Sequence, residues 1–293
     1  MLKTNKDRLI VTAVQAVVQP SGGRGYGSTW EGKSKMTLGT ASINYTVSIG
    51  DPVWGYASAD HVEPDVTVQG RDKPGARDCA IAILGCIGNE ARVVSGDAKG
   101  ASGYYIGRHA GADDLVWFPK EVLEDLALDD KIQVKARGCG LQIEGFEDVK
   151  LNKMSPELLE AMGVTVEDGE LVVSVVAEIP GWILGAGVGW DASVEVVDYD
   201  IQTTCPEVVE ELNLKSLRLG DVIAIPDHYD AWGRGRYEGA MTIGVIVHGF
   251  SSSGGHGPGV NPIMAALPGK IKTKIDPHAN IAYYLGIRDK PKK

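Results

Sequence analysis

The residues best suited to chemistry in this 293-residue sequence are its histidines. All six lie outside the apolar runs, within two residues of Gly, Asp or Pro: His61, His109, His228, His248, His256 and His278. An imidazole next to a carboxylate can bind a metal or transfer a proton near neutral pH. A single loop histidine is usually only solvated, so a functional site requires that several of them share one place.

The segment DHVEPD (60–65) forms the first polar cluster. Pro64 favours an extended backbone at Glu63, and residues two apart in an extended chain point to the same side. His61 is therefore a predicted metal ligand, and Glu63 is a predicted proton acceptor beside it. The alternative is a polar hairpin tip.

The glycine-rich segment SGDAKGASGYYIGRHAGADDLVWFP (95–119) forms the second cluster. Its glycines allow close approach to a ligand, and Lys99 and Arg108 are predicted to bind an anionic substrate group. His109 and Asp113 are predicted metal ligands. The order of Gly and Lys is not that of a P-loop, so no nucleotide cofactor is expected. An Asp/Gly turn in a surface loop is the alternative.

The segment GDVIAIPDHYDAWGRGRYEG (220–239) places polar residues directly after an apolar run. Folds commonly place catalytic groups in loops beyond strand ends. We therefore predict Asp227 and His228 as metal ligands, and Asp230 and Glu238 as catalytic carboxylates.

Three further residues are predicted to contact substrate. Arg234 or Arg236 could bind a carboxylate with two parallel hydrogen bonds, unless both only neutralise the neighbouring acids. His256 lies in HGFSSSGGHGPGVNPIM (248–264), which is long enough to be a lid or ligand loop. The serines there lack the strand–turn–helix setting of a hydrolase nucleophile.

Short runs rich in Val and Ile, each bounded by Gly, Pro, Asp or Asn, are expected to position these clusters. Helical periodicity occurs only at 119–128, 155–163 and 205–214, with Ser155 as a predicted N-cap. The run CAIAILGCIG (79–88) favours a core strand. We predict a mainly β fold of two associated β-rich lobes, sandwich or barrel-like, at residues 1–139 and 140–293.

Composition narrows the function classes. A formal net charge of −10, with basic residues scattered apart from the terminal RDKPKK, argues against nucleic acid as a partner. The sequence contains no apolar run long enough to span a membrane and no apparent signal peptide, so we expect a cytoplasmic protein. The four cysteines form no CxxC pair, which argues against a thiolate zinc site.

The motifs DHVEPD, GRHAGADD, GRGRYEGAMTIGVIVHG and GGHGPGV resemble a prokaryotic family of domains of unknown function, family 4438, which has separately named N- and C-terminal parts. The resemblance spans nearly the whole chain. It implies a mainly β structure of two associated lobes and no assigned reaction.

A second, partial resemblance is to acetamidase and formamidase enzymes. These enzymes pair an Asn-x-Asp loop with a later GD…D-x-H…G-x-G-E stretch at a metal site, to which GADDLVWFP and GDVIAIPDHYDAWGRGRYEG are similar. The chain has alanine in place of that Asn, PDHYD in place of Asp-x-His, and Arg-Tyr before the final Glu. The resemblance implies Asp113, Asp227, His228 and Glu238 as site residues.

Together these features predict a divalent-metal-dependent hydrolase of a small amide or cyclic amide, with its site between the lobes. The predicted ligands are nitrogen and oxygen donors: His61, His109, His228, Asp113 and Asp227. A bound zinc, manganese or iron ion would lower the pKa of a water molecule and polarise the carbonyl, while Glu63 or Glu238 moves the proton.

Three other functions are compatible with the sequence. One is a non-catalytic protein that binds an anionic metabolite through Lys99, Arg108 and Arg234. Another is a metal-free lyase or isomerase with His228 and Asp230 as its acid–base pair. The third is an assembly role in which glycine-rich β surfaces make subunit contacts. We expect a small-molecule ligand and a homo-oligomer.

Overall fold

The structure is a computed structural model that describes residues 2–22, 25–37, 42–56, 60–70, 80–109, 113–189, 194–231 and 235–291. It is mainly β, as predicted. In the described part of the chain, no helix is both long and apolar enough to cross a membrane.

Six strands from the first half of the chain close into a barrel. The strands of this half are β1 (Thr12–Val18), β2 (Gly25–Ser28), β3 (Ser34–Thr37), β4 (Val66–Gly70), β5 (Glu90–Val93), β6 (Ser102–Arg108), β7 (Asp114–Trp117) and β8 (Lys131–Ala136). The barrel order is β1-β4-β7-β6-β5-β8, every pair is antiparallel, and β2 and β3 form a separate hairpin. In β8, Ile132 and Val134 are buried and alternate with exposed Gln133 and Lys135, as expected for a strand with one face on a core.

The second half of the chain forms two further sheets. Its strands are β9 (Lys150–Leu151), β10 (Thr165–Glu167), β11 (Glu170–Val175), β12 (Ala177–Glu178), β13 (Tyr199–Asp200), β14 (Val222–Tyr229), β15 (Gly235–His248), β16 (Gly259–Ala266) and β17 (Ile271–Ile275). One sheet has the order β12-β14-β15-β16-β13, with β9 also paired to β16, and the other has the order β10-β11-β17. The barrel strands thus precede residue 140 and these strands follow it.

The helices are short connectors. The α-helices are α1 (Ala80–Leu84), α2 (Lys120–Leu123), α3 (Pro156–Met162), α4 (Pro206–Glu211) and α5 (Ile281–Tyr284), and single 3-10 turns lie at Lys6–Arg8, Gly181–Ile183, Val194–Val196 and Leu214–Ser216. The predicted cap of α3 is confirmed, because the Ser155 hydroxyl accepts a hydrogen bond from Leu158 N at 3.0 Å.

The prediction of a core strand at 79–88 was wrong, since α1 occupies residues 80–84 of this run. A short apolar run is as compatible with a buried helix as with a buried strand. The helical choice is stabilised from outside the run, because the buried Lys153 ammonium donates to the carbonyls of Ala82 at 2.9 Å and Gly85 at 3.0 Å. These are carbonyls at the C-terminal end of α1, which a cation satisfies well.

The barrel and the larger sheet meet where β6 crosses β15 and β16. Gly107 has a φ of 141°, and a Cβ there would lie 2.5 Å from Val247 Cγ1, so only glycine allows this approach. The Asn261 side chain accepts from Arg108 N at 2.7 Å and donates to Arg108 O at 2.8 Å. This junction fixes the end of β6 against the end of β15, and the histidines lie there.

Candidate metal centre

Four histidines far apart in sequence bring their rings together at this junction. The ring centroids of His109 and His248 are 4.2 Å apart, and those of His61 and His256 are 4.9 Å apart. His61 is also 5.2 Å from His248 and 5.6 Å from His109. His61, His109 and His248 are buried, whereas 32% of the His256 side chain is exposed.

Each of these histidines is positioned by a strand end or by a loop fixed to one. His109 directly follows β6, and His248 is the last residue of β15. His256 lies in the loop between β15 and β16, and His61 lies ahead of β4 with a φ of 54°. The His61 backbone is held by its N–H, which donates to Phe250 O at 3.0 Å.

Two aspartates, one in β13 and one directly before it, complete the cluster. Asp198 and Asp200 flank the buried Tyr199, so both can point to the same side of an extended backbone. Asp198 Oδ2 lies 3.1 Å from His248 Nε2, and Asp200 Oδ1 lies 3.4 Å from the same nitrogen. Asp200 Oδ2 lies 2.8 Å from His256 Nδ1 and 3.8 Å from His61 Nε2.

In three of these imidazoles, the Nδ1 atom faces away from the aspartates and contacts a hydrogen-bond acceptor. The Nδ1 atom of His61 contacts Asp60 Oδ1 at 2.6 Å, and that of His109 contacts Glu63 Oε1 at 2.5 Å. The Nδ1 atom of His248 contacts the Gly249 carbonyl oxygen at 3.0 Å. Such contacts place the proton on Nδ1 and leave the Nε2 lone pair for a metal, which is the arrangement found around metal-binding histidines.

The backbone of β16 leaves room for this arrangement only because residue 259 is glycine. A Cβ at Gly259 would lie 2.7 Å from Asp198 Oδ2 and still closer to His248 Nε2. Real Cβ atoms essentially never come within 3.0 Å of another heavy atom in this way. The position of His248 beside Asp198 therefore depends on the absence of a side chain at residue 259.

The histidines and aspartates of the cluster shift one another's pKa values. Burial disfavours an imidazolium at His248, but the carboxylates of Asp198 and Asp200 outweigh burial and raise the pKa of His248 well above its usual value. Burial likewise opposes the charge on Asp200, but the imidazoles of His248, His256 and His61 hold its pKa well below the usual range. A proton at His248 thus occupies the place that a cation would take.

The six side chains form two sets of three whose ligand atoms lie within 4.8 Å of one another. We name them the inner set, His109, Asp198 and His248, and the outer set, His61, Asp200 and His256. Both sets offer the nitrogen and oxygen donors that divalent transition metals prefer. The cluster is therefore able to bind a metal.

Of the residues predicted from sequence, the structure brings His61, Glu63, His109 and His256 into this cluster. His228 lies next to it, with its ring 5.4 Å from that of Tyr199, but its Nδ1 contacts Thr242 Oγ1 at 3.2 Å and it belongs to neither set.

The other residues of the 220–239 segment are placed outside both sets. Asp227 has a φ of 55° and accepts a hydrogen bond from Gly239 N at 2.7 Å, so it stabilises the β14–β15 hairpin. Asp230 is buried, and its backbone N–H donates to Thr242 Oγ1 at 3.2 Å. Glu238 and Arg236 are exposed on β15. Arg234 lies outside the described residues.

The remaining predicted residues also lie outside both sets. Asp113 accepts from Gln69 Nε2 at 2.8 Å, and burial raises its pKa to about 6. Arg108 forms a 2.7 Å ion pair with buried Asp114. Lys99 is exposed in the turn between β5 and β6.

Sequence reasoning missed Asp198, Asp200 and His248 as site residues. A signal for the aspartates was present, because D-Y-D places two carboxylates two residues apart, as H-V-E does in DHVEPD. His248 carried a weaker signal, since it ends a long apolar run and precedes glycine.

A cavity of about 610 Å³ adjoins the cluster. Asp60, His61 and Glu63 line it on the side of the cluster, and Tyr45 and residues 126–128 contribute to the rest of its wall. A volume of this size is typical of small-molecule sites.

Fold and site together define a mainly β protein with a His/Asp centre between a barrel and a second sheet. The chain belongs to the DUF4438 family of domains of unknown function, whose N-terminal model matches residues 26–160 and whose C-terminal model matches residues 161–285. The resemblance to family 4438 inferred from the sequence motifs is thus confirmed, whereas the partial resemblance to acetamidase and formamidase enzymes is not shown by these matches.

The fold is also similar to that in a solved structure described as "Crystal structure of TM1086". The two chains are 40% identical with a TM-score of 0.90, and the match covers 97% of this chain and 99% of the other. No curated protein shows significant similarity to the chain.

Proposed function

We propose that the protein is a divalent-metal-dependent hydrolase of a small amide or cyclic amide. The observation that carries this proposal is the convergence of the His61, His109 and His248 imidazoles on Asp198 and Asp200, with their Nδ1 atoms held by acceptors behind them. Several buried carboxylates placed this close together destabilise the folded protein unless a cation or bound protons compensate their charge.

The distances between ligand atoms suit metal coordination. Metal–ligand bonds of about 2.0–2.2 Å place neighbouring ligand atoms roughly 2.9–3.5 Å apart. The separations of 3.1 Å between His248 and Asp198, 3.4 Å between His248 and Asp200, and 3.1 Å between His61 and His256 agree with this range. Those of Asp200 from His256, 2.8 Å, and from His61, 3.8 Å, lie slightly outside it. The mixture of imidazole and carboxylate donors favours zinc, manganese or iron.

A divalent ion held by these residues would supply a water of lowered pKa and polarisation of the carbonyl group to amide hydrolysis. The overall step adds the oxygen of water to the carbonyl carbon, breaks the C–N bond and transfers a proton to the leaving nitrogen, which yields a carboxylic acid and an amine. Asp200 and His256, whose Oδ2 and Nδ1 atoms are 2.8 Å apart on the partly exposed side of the cluster, would hold the ion and not move the proton, because the neighbouring imidazoles keep the pKa of Asp200 well below its usual range.

Glu63 acts in this scheme through His109 and is a positioning residue. It is fully buried, and its carboxylate accepts the His109 Nδ1–H at 2.5 Å. Asp60 has the equivalent relation to His61 and also pairs with Lys35. Both carboxylates fix ring orientation, as is usual behind metal-binding histidines.

The adjoining cavity supports a small substrate. The described residues that line it include no Lys or Arg, and its ionisable side chains near the cluster are acidic or imidazole groups. An uncharged amide fits such a wall better than an anion does. The alternative of an anionic ligand is weakened further because the Arg108 guanidinium is paired with Asp114.

The first experiment is metal analysis of purified protein by ICP-MS, followed by thermal shift with zinc, manganese and iron(II). Hydrolysis of linear amides, lactams and cyclic imides is then measured with and without metal, with His278→Gln as a control, because His278 belongs to neither set. We expect bound metal and metal-dependent release of amine. Absence of both bound metal and a thermal shift would refute the proposal, and bound metal with no turnover of any amide would refute its hydrolytic part.

A further inference from the structure

Asp200, a member of the outer set, also contacts the inner set. The two oxygens of Asp200 point to different histidines: Oδ1 lies 3.4 Å from His248 Nε2, and Oδ2 lies 2.8 Å from His256 Nδ1. We propose that the centre holds two divalent cations, one in each set, with the Asp200 carboxylate bridging them. This inference rests on the proposed metal site but not on the hydrolytic reaction.

The spacing of the rings follows the same division. Within the sets, the ring centroids are 4.2 Å apart for His109 and His248 and 4.9 Å apart for His61 and His256. Between the sets, the separations are larger, 5.2 Å for His61 and His248 and 5.6 Å for His61 and His109. Two ions bridged by a carboxylate typically lie about 3.5–4 Å apart, which this spacing accommodates.

The charge of the buried carboxylates is compatible with two dications. Asp198, Asp200 and Glu63 are buried carboxylates in contact with the four imidazoles, whereas Asp60 is already paired with Lys35. With the imidazoles neutral, one divalent ion leaves a net charge of −1 on this group and two leave +1, so a second ion creates no larger imbalance than the first. Buried charges that lack compensation are strongly disfavoured.

The two sites differ in their access to solvent. Every member of the inner set is buried, and Glu63, with no exposed surface, lies behind His109. The outer set includes His256, whose side chain is 32% exposed in the loop between β15 and β16. The inner ion should therefore bind first and exchange slowly, and the outer ion should bind more weakly and face the substrate.

The test is metal stoichiometry in the full-length protein. Chelator-treated protein is titrated with Mn²⁺ and, separately, with Zn²⁺, and bound metal per chain is measured by ICP-MS after gel filtration. We expect two ions per chain at saturation, bound in two resolved steps, and a spin-coupled electron paramagnetic resonance signal from the manganese form. His256→Ala should reduce the stoichiometry to one, whereas His278→Ala should leave it at two.

The possible outcomes separate this inference from the proposed function. One ion per chain at saturation in the unaltered protein would overturn the two-metal centre but leave a one-metal hydrolase intact. No bound ion would overturn both. Two ions that persist in His256→Ala, with its fold verified by circular dichroism, would place the second ion elsewhere and overturn the assignment.

Discussion

The Gly259→Ala substitution tests the metal centre without removing a ligand. The added methyl group would lie 2.7 Å from Asp198 Oδ2 and closer still to His248 Nε2. Non-bonded heavy atoms normally approach to about 3.5 Å, so the two side chains must separate from residue 259 by roughly 0.8 Å or more. Functional sites usually require ligand positions within about 0.5 Å, so the inner set should lose its geometry.

Displacement of these side chains should weaken metal binding by roughly 100-fold, the upper end of what loss of an outer-shell partner costs. That factor corresponds to about 2.8 kcal/mol of binding free energy. The assay is isothermal titration calorimetry with Zn²⁺ or Mn²⁺ on chelator-treated protein, with circular dichroism to verify that the fold is retained.

Gly254→Ala is the matched control, because it lies in the loop that carries His256 and a Cβ there would meet nothing within 4 Å. We expect it to bind metal as the unaltered protein does. Metal affinity that is unchanged in Gly259→Ala would refute the assignment of His248 and Asp198 as ligands.

Four further predictions follow from the same contacts. Glu63→Gln should weaken metal binding about 10–100-fold, because it loosens the orientation of the His109 ring. An unchanged metal affinity in calorimetry would show that Glu63 does not position His109. Metal uptake should release protons, and metal affinity should increase as the pH rises, because His248 with its raised pKa is protonated and the metal must displace that proton. Binding enthalpies that do not vary with the ionisation enthalpy of the buffer would contradict this. Asn261→Ala removes two hydrogen bonds at the junction and should lower the free energy of unfolding by about 2 kcal/mol in urea titrations, whereas a loss near zero would show that they contribute nothing net. Burial raises the pKa of Asp65 from 3.8 to about 7, so the ionisation of Asp65 lowers the free energy of unfolding as the pH rises through this range. The Asp65→Asn variant should show a smaller loss of stability over the same range, and identical curves of stability against pH for the two proteins would disprove this.

Much of the fold could be predicted because strand-length apolar runs alternate with turn residues. The β8 and β11 strands have buried residues at every second position, and their sequences have apolar residues at those same positions. The α1 segment could not be assigned in this way. Its helical form depends on Lys153, a residue about 70 positions away that binds the helix carbonyls.

The site was predictable only in part, because residues distant in sequence also determine which side chains meet there. His61 and His109 carried local signals in their neighbouring acids, and the structure places both in the cluster. His228 carried the same signal but lies beyond a register shift between Pro226 and His228, where Asp227 adopts a positive φ. Such a bulge redirects the side chains that follow it, and nothing in the local sequence reports it.

The distribution of the ligands along the chain has a consequence for biosynthesis. His61 and His256 touch each other although 195 residues separate them. A growing chain cannot complete either set before Asp198 and His248 have been synthesised, by which time the strands of the barrel have all emerged. Metal capture would therefore be a late event that reports finished folding, and the apolar core must direct the chain to its native topology before any ion can bind.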